Sequence, residues 1–165
     1  MDTLAVTGGR VLTPSLSVRE ADVLVDTAAG EILDVAQDLG GDADGTLDAT
    51  DGLVIPGLVN AHCHMAMSLL RGYAAEKPLE TWLREEVGPV EAEFTAEDIR
   101  VGTELALVEL IRSGVTAVGD MYFETAEVVE AVAQSGLRAR LGFAAVTVTK
   151  DDVGAQADVD ESFRV

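Results

Sequence analysis

Hydrophobic and polar positions change rhythm near residue 54 of this chain. Before it, apolar residues come in short alternating runs: Leu4 to Val6, Val11 and Leu12, Ala21 to Val25, and Ile32 to Val35. Gly8-Gly9, Pro14-Ser15, Ala29-Gly30 and the loose stretch Gly40-Gly41-Asp42-Ala43-Asp44-Gly45 separate them. Period-two runs punctuated in this way predict strands joined by turns, hence a small β module of hairpins over residues 1–53.

Over residues 54–165 strand and helix patterns alternate. Leu58 to His62 reads as a strand, and Leu79 to Glu86 as a short helix around Trp82. Thr95-Ala96-Glu97-Asp98 resembles a capping box with Asp in place of Glu. It opens a long helical pattern carrying Ile99, Leu105, Val108 and Ile111, closed by Ser113-Gly114. Val115 to Met121 is a continuous apolar strand with Asp120 near its end. Thr125 to Ser135 predicts a second helix stopped by Gly136, Arg138 to Val148 a third strand, and Asp158 to Val165 the start of a third helix. Such alternation implies parallel strands joined by right-handed crossovers.

Composition narrows the class. At 48% hydrophobic residues the chain can build a core and is not a disordered acidic tail. It has no uninterrupted apolar run of about 18 residues or more and no basic-then-apolar N-terminus. Its one cysteine, Cys63, rules out an internal disulfide. These features predict a cytoplasmic protein. Thirty acidic against 11 basic residues give a formal charge of −19, which repels nucleic acid and anionic membranes. Only Lys77 and Lys150 are lysines. An acidic, lysine-poor chain with ample core residues fits a salt-rich cytoplasm, where the screening length falls to ~3 Å at molar salt. An ordinary acidic protein is the alternative. The pairs Asp22/Asp26 and Asp42/Asp44 lack calcium-loop spacing and its closing glutamate, so they read as solvated strand ends and a turn.

The candidate chemistry lies in Pro56-Gly57-Leu58-Val59-Asn60-Ala61-His62-Cys63-His64. His62 and His64 are the only histidines. Strand alternation sends both rings to one side, with Cys63 pointing away, so the pair can bind one metal ion. A catalytic zinc usually has three protein ligands, so the inventory leaves the site unfinished.

That string, with Met67, Leu69-Leu70-Arg71-Gly72 and Trp82 after it, resembles the amidohydrolase superfamily, most closely its 5′-methylthioadenosine/S-adenosylhomocysteine deaminase branch in the chlorohydrolase-like group. The resemblance runs from about Leu4 to Phe163. It implies an α/β fold: the N-terminal part of a TIM-like (β/α)8 metal-dependent hydrolase barrel, preceded by strands of a small β-sandwich. Residues 1–53 would supply the sandwich strands and residues 54–165 the first three β/α units, both incomplete. His62 and His64 match metal ligands at the end of the first barrel strand, where barrel chemistry sits. The ion would be a single divalent metal, zinc in first place and iron second. Glu91 matches a glutamate that binds ribose hydroxyls; a solvated helix-flanking charge is the alternative. Trp82 and Met121 match positions near the substrate pocket, with core packing as the alternative for Trp82. The family's other metal ligands and its acid/base residues are expected beyond Val165, so no catalytic residue is assigned within the chain. Asp120, on the second strand, is in the wrong place to be the missing aspartate ligand. Where some relatives carry a substrate-holding arginine near the end of strand three, this chain reads Leu141-Gly142-Phe143.

The implied function is hydrolytic deamination of an adenosine-type nucleoside by the full-length family, with this segment alone inactive. The alternatives are hydrolysis of another heterocycle (guanine, cytosine or a triazine-like ring), an inactive remnant, or one piece of a split enzyme. The expected partners are a small-molecule substrate and a complementing polypeptide or a second copy of the chain, with neither nucleic acid nor membrane. Arg71 reads as a structural anchor, Cys63 as a small packed residue without a lowered pKa, and Met65 and Met67 as pocket wall or core filler.

Overall fold

The computed structural model describes residues 2–144 and 152–162 and divides into two compact units, 1–56 and 57–165. In the first unit β1 (Thr3–Thr7), β4 (Asp22–Asp26), β5 (Glu31–Ala36) and β6 (Gly45–Asp48) form one sheet in the order β5-β4-β1-β6, and β2 (Arg10–Leu12), β3 (Val18–Glu20) and β7 (Leu53–Val54) form another in the order β3-β2-β7. Val11, Ala21 and Val23 make its small core.

The hairpin expectation holds only in part. β2–β3 and β4–β5 are antiparallel, but β1 pairs β6 and β2 pairs β7 in parallel. β3, β6 and β7 escaped prediction because they are short and their side chains are mostly exposed, so no buried stripe marks them. The stretch 40–45 is not a loose loop: Leu39–Asp42 is a 3₁₀ turn running into β6. The acidic pairs are structural where described. Asp22 accepts the amides of Gly8 and Leu39, Asp26 those of Ala28 and Ala29, and Asp44 those of Asp2 and Thr3.

In the second unit β8 (Leu58–Cys63), β9 (Val115–Tyr122) and β10 (Arg138–Phe143) form a parallel sheet in the order β10-β9-β8. α3 (Ala96–Arg112) and α4 (Thr125–Ser135) pack with it around Met65, Ile99, Leu107, Val118, Val128 and Val132. Both helices end where Ser113-Gly114 and Gly136 predict. Thr95 caps α3 as expected: its hydroxyl accepts the Asp98 amide at 3.2 Å, and the Asp98 carboxylate accepts the Thr95 amide at 2.8 Å. The buried face of α3 is narrower than the hydrophobic pattern suggests. Ile99, Ala106 and Leu107 point inward, whereas Val101, Leu105, Val108 and Ile111 are exposed. Gly102 lies on the inner face because a Cβ there would meet the Ala66 carbonyl oxygen at 2.4 Å. That clearance lets α3 lie directly on the 3₁₀ segment Met65–Leu70.

Three boundaries differ from expectation. The short helix around Trp82 does not stop at Glu86. α1 (Leu79–Thr81) runs through a π-helical turn, Trp82–Val87, into α2 (Gly88–Glu91). Gly88-Pro89 looks like a breaker, but Gly88 donates to the Leu83 carbonyl five residues back, and proline is tolerated in the first turn that follows. The third strand is described from Arg138 to Phe143, and the rest of its predicted span, 145–148, lies outside the described residues. The last helix, α5 (Asp152–Ser162), begins six residues before Asp158. Val153 on it is exposed, so no apolar stripe announces its start. The end of its predicted span, 163–165, also lies outside the described residues.

Candidate functional site

The site is built where β8 ends beside β9. Asn60 pairs with Val118 and Cys63 with Asp120, so three steps on β8 match two on β9. The extra residue is a bulge at Ala61–His62, a device that re-aims side chains next to functional sites. Asn60 stabilises it by accepting the His62 amide on its side chain at 3.3 Å. Gly119 makes room for it, since a Cβ there would lie 2.9 Å from the Ala61 carbonyl oxygen. Simple alternation is therefore broken at His62. The two imidazoles nevertheless meet, edge to face, with centroids 4.9 Å apart and planes at 85°.

Three successive residues of β9 hold what surrounds them. The buried Asp120 carboxylate accepts the Met65 amide at 2.7 Å. The Met121 carbonyl lies 2.8 Å from His64 Nδ1, a contact that puts the ring proton on Nδ1 and leaves Nε2 as the free lone pair. The Tyr122 hydroxyl donates to Glu91 Oε1. Burial pushes the Asp120 carboxyl above its ordinary pKa, against the Met65 amide and the two imidazoles. Burial likewise raises Glu91, opposed by the Tyr122 bond and His64. Burial and the Glu91 carboxylate keep the Tyr122 phenol protonated far above neutral pH.

The predicted residues thus fall into connected places. His62 and His64 share a cavity of about 660 Å³ with Met65, Met67, Arg71 and Glu109. Glu91, Trp82 and Met121 do not line it. Glu91 reaches the pair through Tyr122 and β9. Met121 contributes its carbonyl while its side chain is exposed. Trp82 is half-buried and donates from Nε1 to the Tyr73 carbonyl at 2.8 Å. Arg71 forms a two-pronged pair with Glu109, at 2.9 and 2.5 Å. The Cys63 thiol is raised, first by burial and then by Asp120. Met65 is a core residue, and Met67 packs against that core.

Sequence reasoning missed Asn60, Asp120 and Tyr122 as organisers of the site. The stretch Val115 to Met121 reads as continuous and apolar with Asp120 near its end, and nothing in it or in the Tyr122 that follows signals that these two carry polar partners. For a metal, the two rings offer nitrogen donors at the end of a parallel strand, with the second nitrogen of His64 already oriented. They fit as part of a ligand set. Among the described residues no group of three or more His, Cys, Asp or Glu could hold an ion.

A family model described as Amidohydrolase family matches residues 53–163. The chain is 61% identical, over 100% of its length, to a 5-methylthioadenosine/S-adenosylhomocysteine deaminase of Natronomonas pharaonis, and spans 38% of that protein. It is 41% identical over 93% of its length to a 5′-deoxyadenosine deaminase of Methanococcoides burtonii, spanning 36% of it. Among solved structures, an atrazine chlorohydrolase from Arthrobacter aurescens TC1 complexed with zinc superposes with a TM-score of 0.77 at 24% identity, covering 87% of this chain and 36% of the other. At that identity the likeness is one of fold.

Proposed function

Because this chain belongs to the amidohydrolase family, we propose that it carries the opening part of a mononuclear metal centre and the sugar-binding carboxylate of a nucleoside deaminase. The reaction would be hydrolytic removal of the amine from an adenosine-type nucleoside such as 5′-methylthioadenosine or S-adenosylhomocysteine. The observation that carries the proposal is the Met121 carbonyl on His64 Nδ1, which leaves Nε2 as the donor nitrogen of a ring that meets the His62 ring edge to face.

In this reading the three parallel strands begin a (β/α)8 barrel, and the first unit contributes to a sandwich. The exposed Leu58 and Val59 on β8, together with the apolar outer stripe of α3, support further strands and helices packing there. His62 and His64 would hold zinc. The chemistry such a metal would supply is acidification of water toward a pKa of ~7. The chain's own residues do the rest of their share. Asp120 fixes the turn after His64 through the Met65 amide, the Met121 carbonyl orients the His64 ring, and Glu91 accepts the sugar hydroxyls, since a carboxylate can take two hydrogen bonds from a vicinal diol. The acid surplus supports a salt-rich cytoplasm as its setting.

The test is complementation. The chain is combined with a polypeptide carrying the part of the Natronomonas pharaonis relative that this chain does not span, and ammonia release is followed. Methylthioadenosine should be turned over by the pair and by neither piece, with His62→Ala in the pair abolishing turnover. Glu91→Gln should lower kcat/KM for ribosyl substrates about 10- to 100-fold, the worth of a charged hydrogen bond, and spare guanine or triazine-like rings. Turnover confined to rings without a sugar would sink the nucleoside assignment.

A further inference from the structure

Tyr122 lies on the buried face of β9 in register with Asp120 and Val118, and only 4% of its surface is exposed. Its hydroxyl reaches across 31 positions of sequence to Glu91 Oε1. Glu91 is the last residue of α2, which follows the π-helical turn without a break. The phenol is its only side-chain hydrogen-bond partner among the described residues, and it occupies one oxygen. A carboxylate offers roughly four lone-pair sites, so one bound phenol leaves Oε2 for a ligand and removes much of the rotational freedom at the carboxyl group.

We propose that Tyr122 is a positioning residue: it holds Glu91 Oε1 so that Oε2 faces the vicinal hydroxyls of a ribosyl ligand, and it thereby sets the preference for nucleoside over free base. This rests on the sugar-binding role proposed for Glu91. A purely structural role, satisfying a buried phenol, would change stability and leave selectivity alone.

The experiment uses the 165-residue chain labelled with ¹³C at glutamate carboxyl carbons. The Glu91 resonance is identified by its loss in Glu91→Gln. Tyr122→Phe should shift that resonance. In titrations followed by NMR, it should also weaken 5′-methylthioadenosine about 10-fold, the worth of one hydrogen bond at the upper end of its usual range, while adenine changes less than about twofold. If Tyr122→Phe does not fold, 3-fluorotyrosine gives two ¹⁹F signals, from Tyr73 and Tyr122, and the Tyr122 signal should move in Glu91→Gln and on adding methylthioadenosine. An unmoved Glu91 resonance, or equal weakening of nucleoside and base, overturns the proposal. A wild-type chain that shows no preference for the nucleoside overturns the sugar role of Glu91 instead, and the Glu91 resonance still reports separately whether Tyr122 holds it.

Discussion

Gly119 shows how much of the site depends on what one residue lacks. The bulge brings the Ala61 carbonyl to a point where a Cβ at position 119 would be 2.9 Å away, and the atoms it would meet are all Ala61 backbone, with no flexible chain end to yield. Gly119→Ala should therefore destabilise the chain by about 1–3 kcal/mol, the usual cost of overpacking, as read from urea denaturation. It should also separate the two histidine ring signals in NMR spectra, since His62 sits in the displaced bulge. Unchanged ring signals would mean that the bulge does not aim His62. The metal prediction belongs to the same scale. Two imidazoles form an incomplete shell, so the purified chain should lose zinc on dialysis against a mild chelator. One tightly retained zinc per chain in elemental analysis would contradict this, unless self-association supplied further ligands.

Among the elements, α3 is held at its start by the reciprocal Thr95–Asp98 bonds. Thr95→Ala should cost about 1 kcal/mol of stability, as loss of such a cap does. The Thr95 hydroxyl, and then its amide, hold the Asp98 carboxyl below the ordinary aspartate value. A carboxylate lowered in the folded state stabilises above its unfolded pKa, near 4, and that contribution fades as pH falls through the lower folded value. The gap in thermal midpoint between wild type and Thr95→Ala should accordingly narrow on going from pH 6 to pH 3. A gap that stays constant would show that the Asp98 charge is irrelevant to the cap. Elements with a buried stripe or a cap were legible in the sequence: β9, α3 and α4 stand close to their predicted bounds; β8, which has no buried residue, was legible through its own motif. Those defined by pairing alone were not. β6 and β7 exist because β1 and β2 offer parallel partners, which no local pattern encodes. The π-helical turn hides behind a glycine-proline pair that locally reads as a stop. For the site, the His-x-His spacing was legible, but the bulge and the β9 contacts depend on strand register, which appears only when distant segments meet.

For the whole molecule, charge and apolar surface pull in opposite directions. A formal charge of −19 repels itself in dilute buffer, and added salt screens it. The two-state midpoint followed by circular dichroism should rise between low salt and molar potassium chloride. Equal stability in both would make the acid surplus incidental. The identity to a deaminase of Natronomonas pharaonis accords with a halophilic setting. Within the second unit, β9 touches the site through three neighbouring residues, and this ties occupancy to strand pairing. A ligand at the proposed site would depend on His64 and Glu91 being held by Met121 and Tyr122, so its binding energy would be added to the opening energy of the β8–β9 ladder as RT ln(1 + [L]/Kd). The amide protons of residues 117–122 thus become a gauge of occupancy, exchanging more slowly with solvent as ligand concentration rises, even for ligands too weakly held to survive purification.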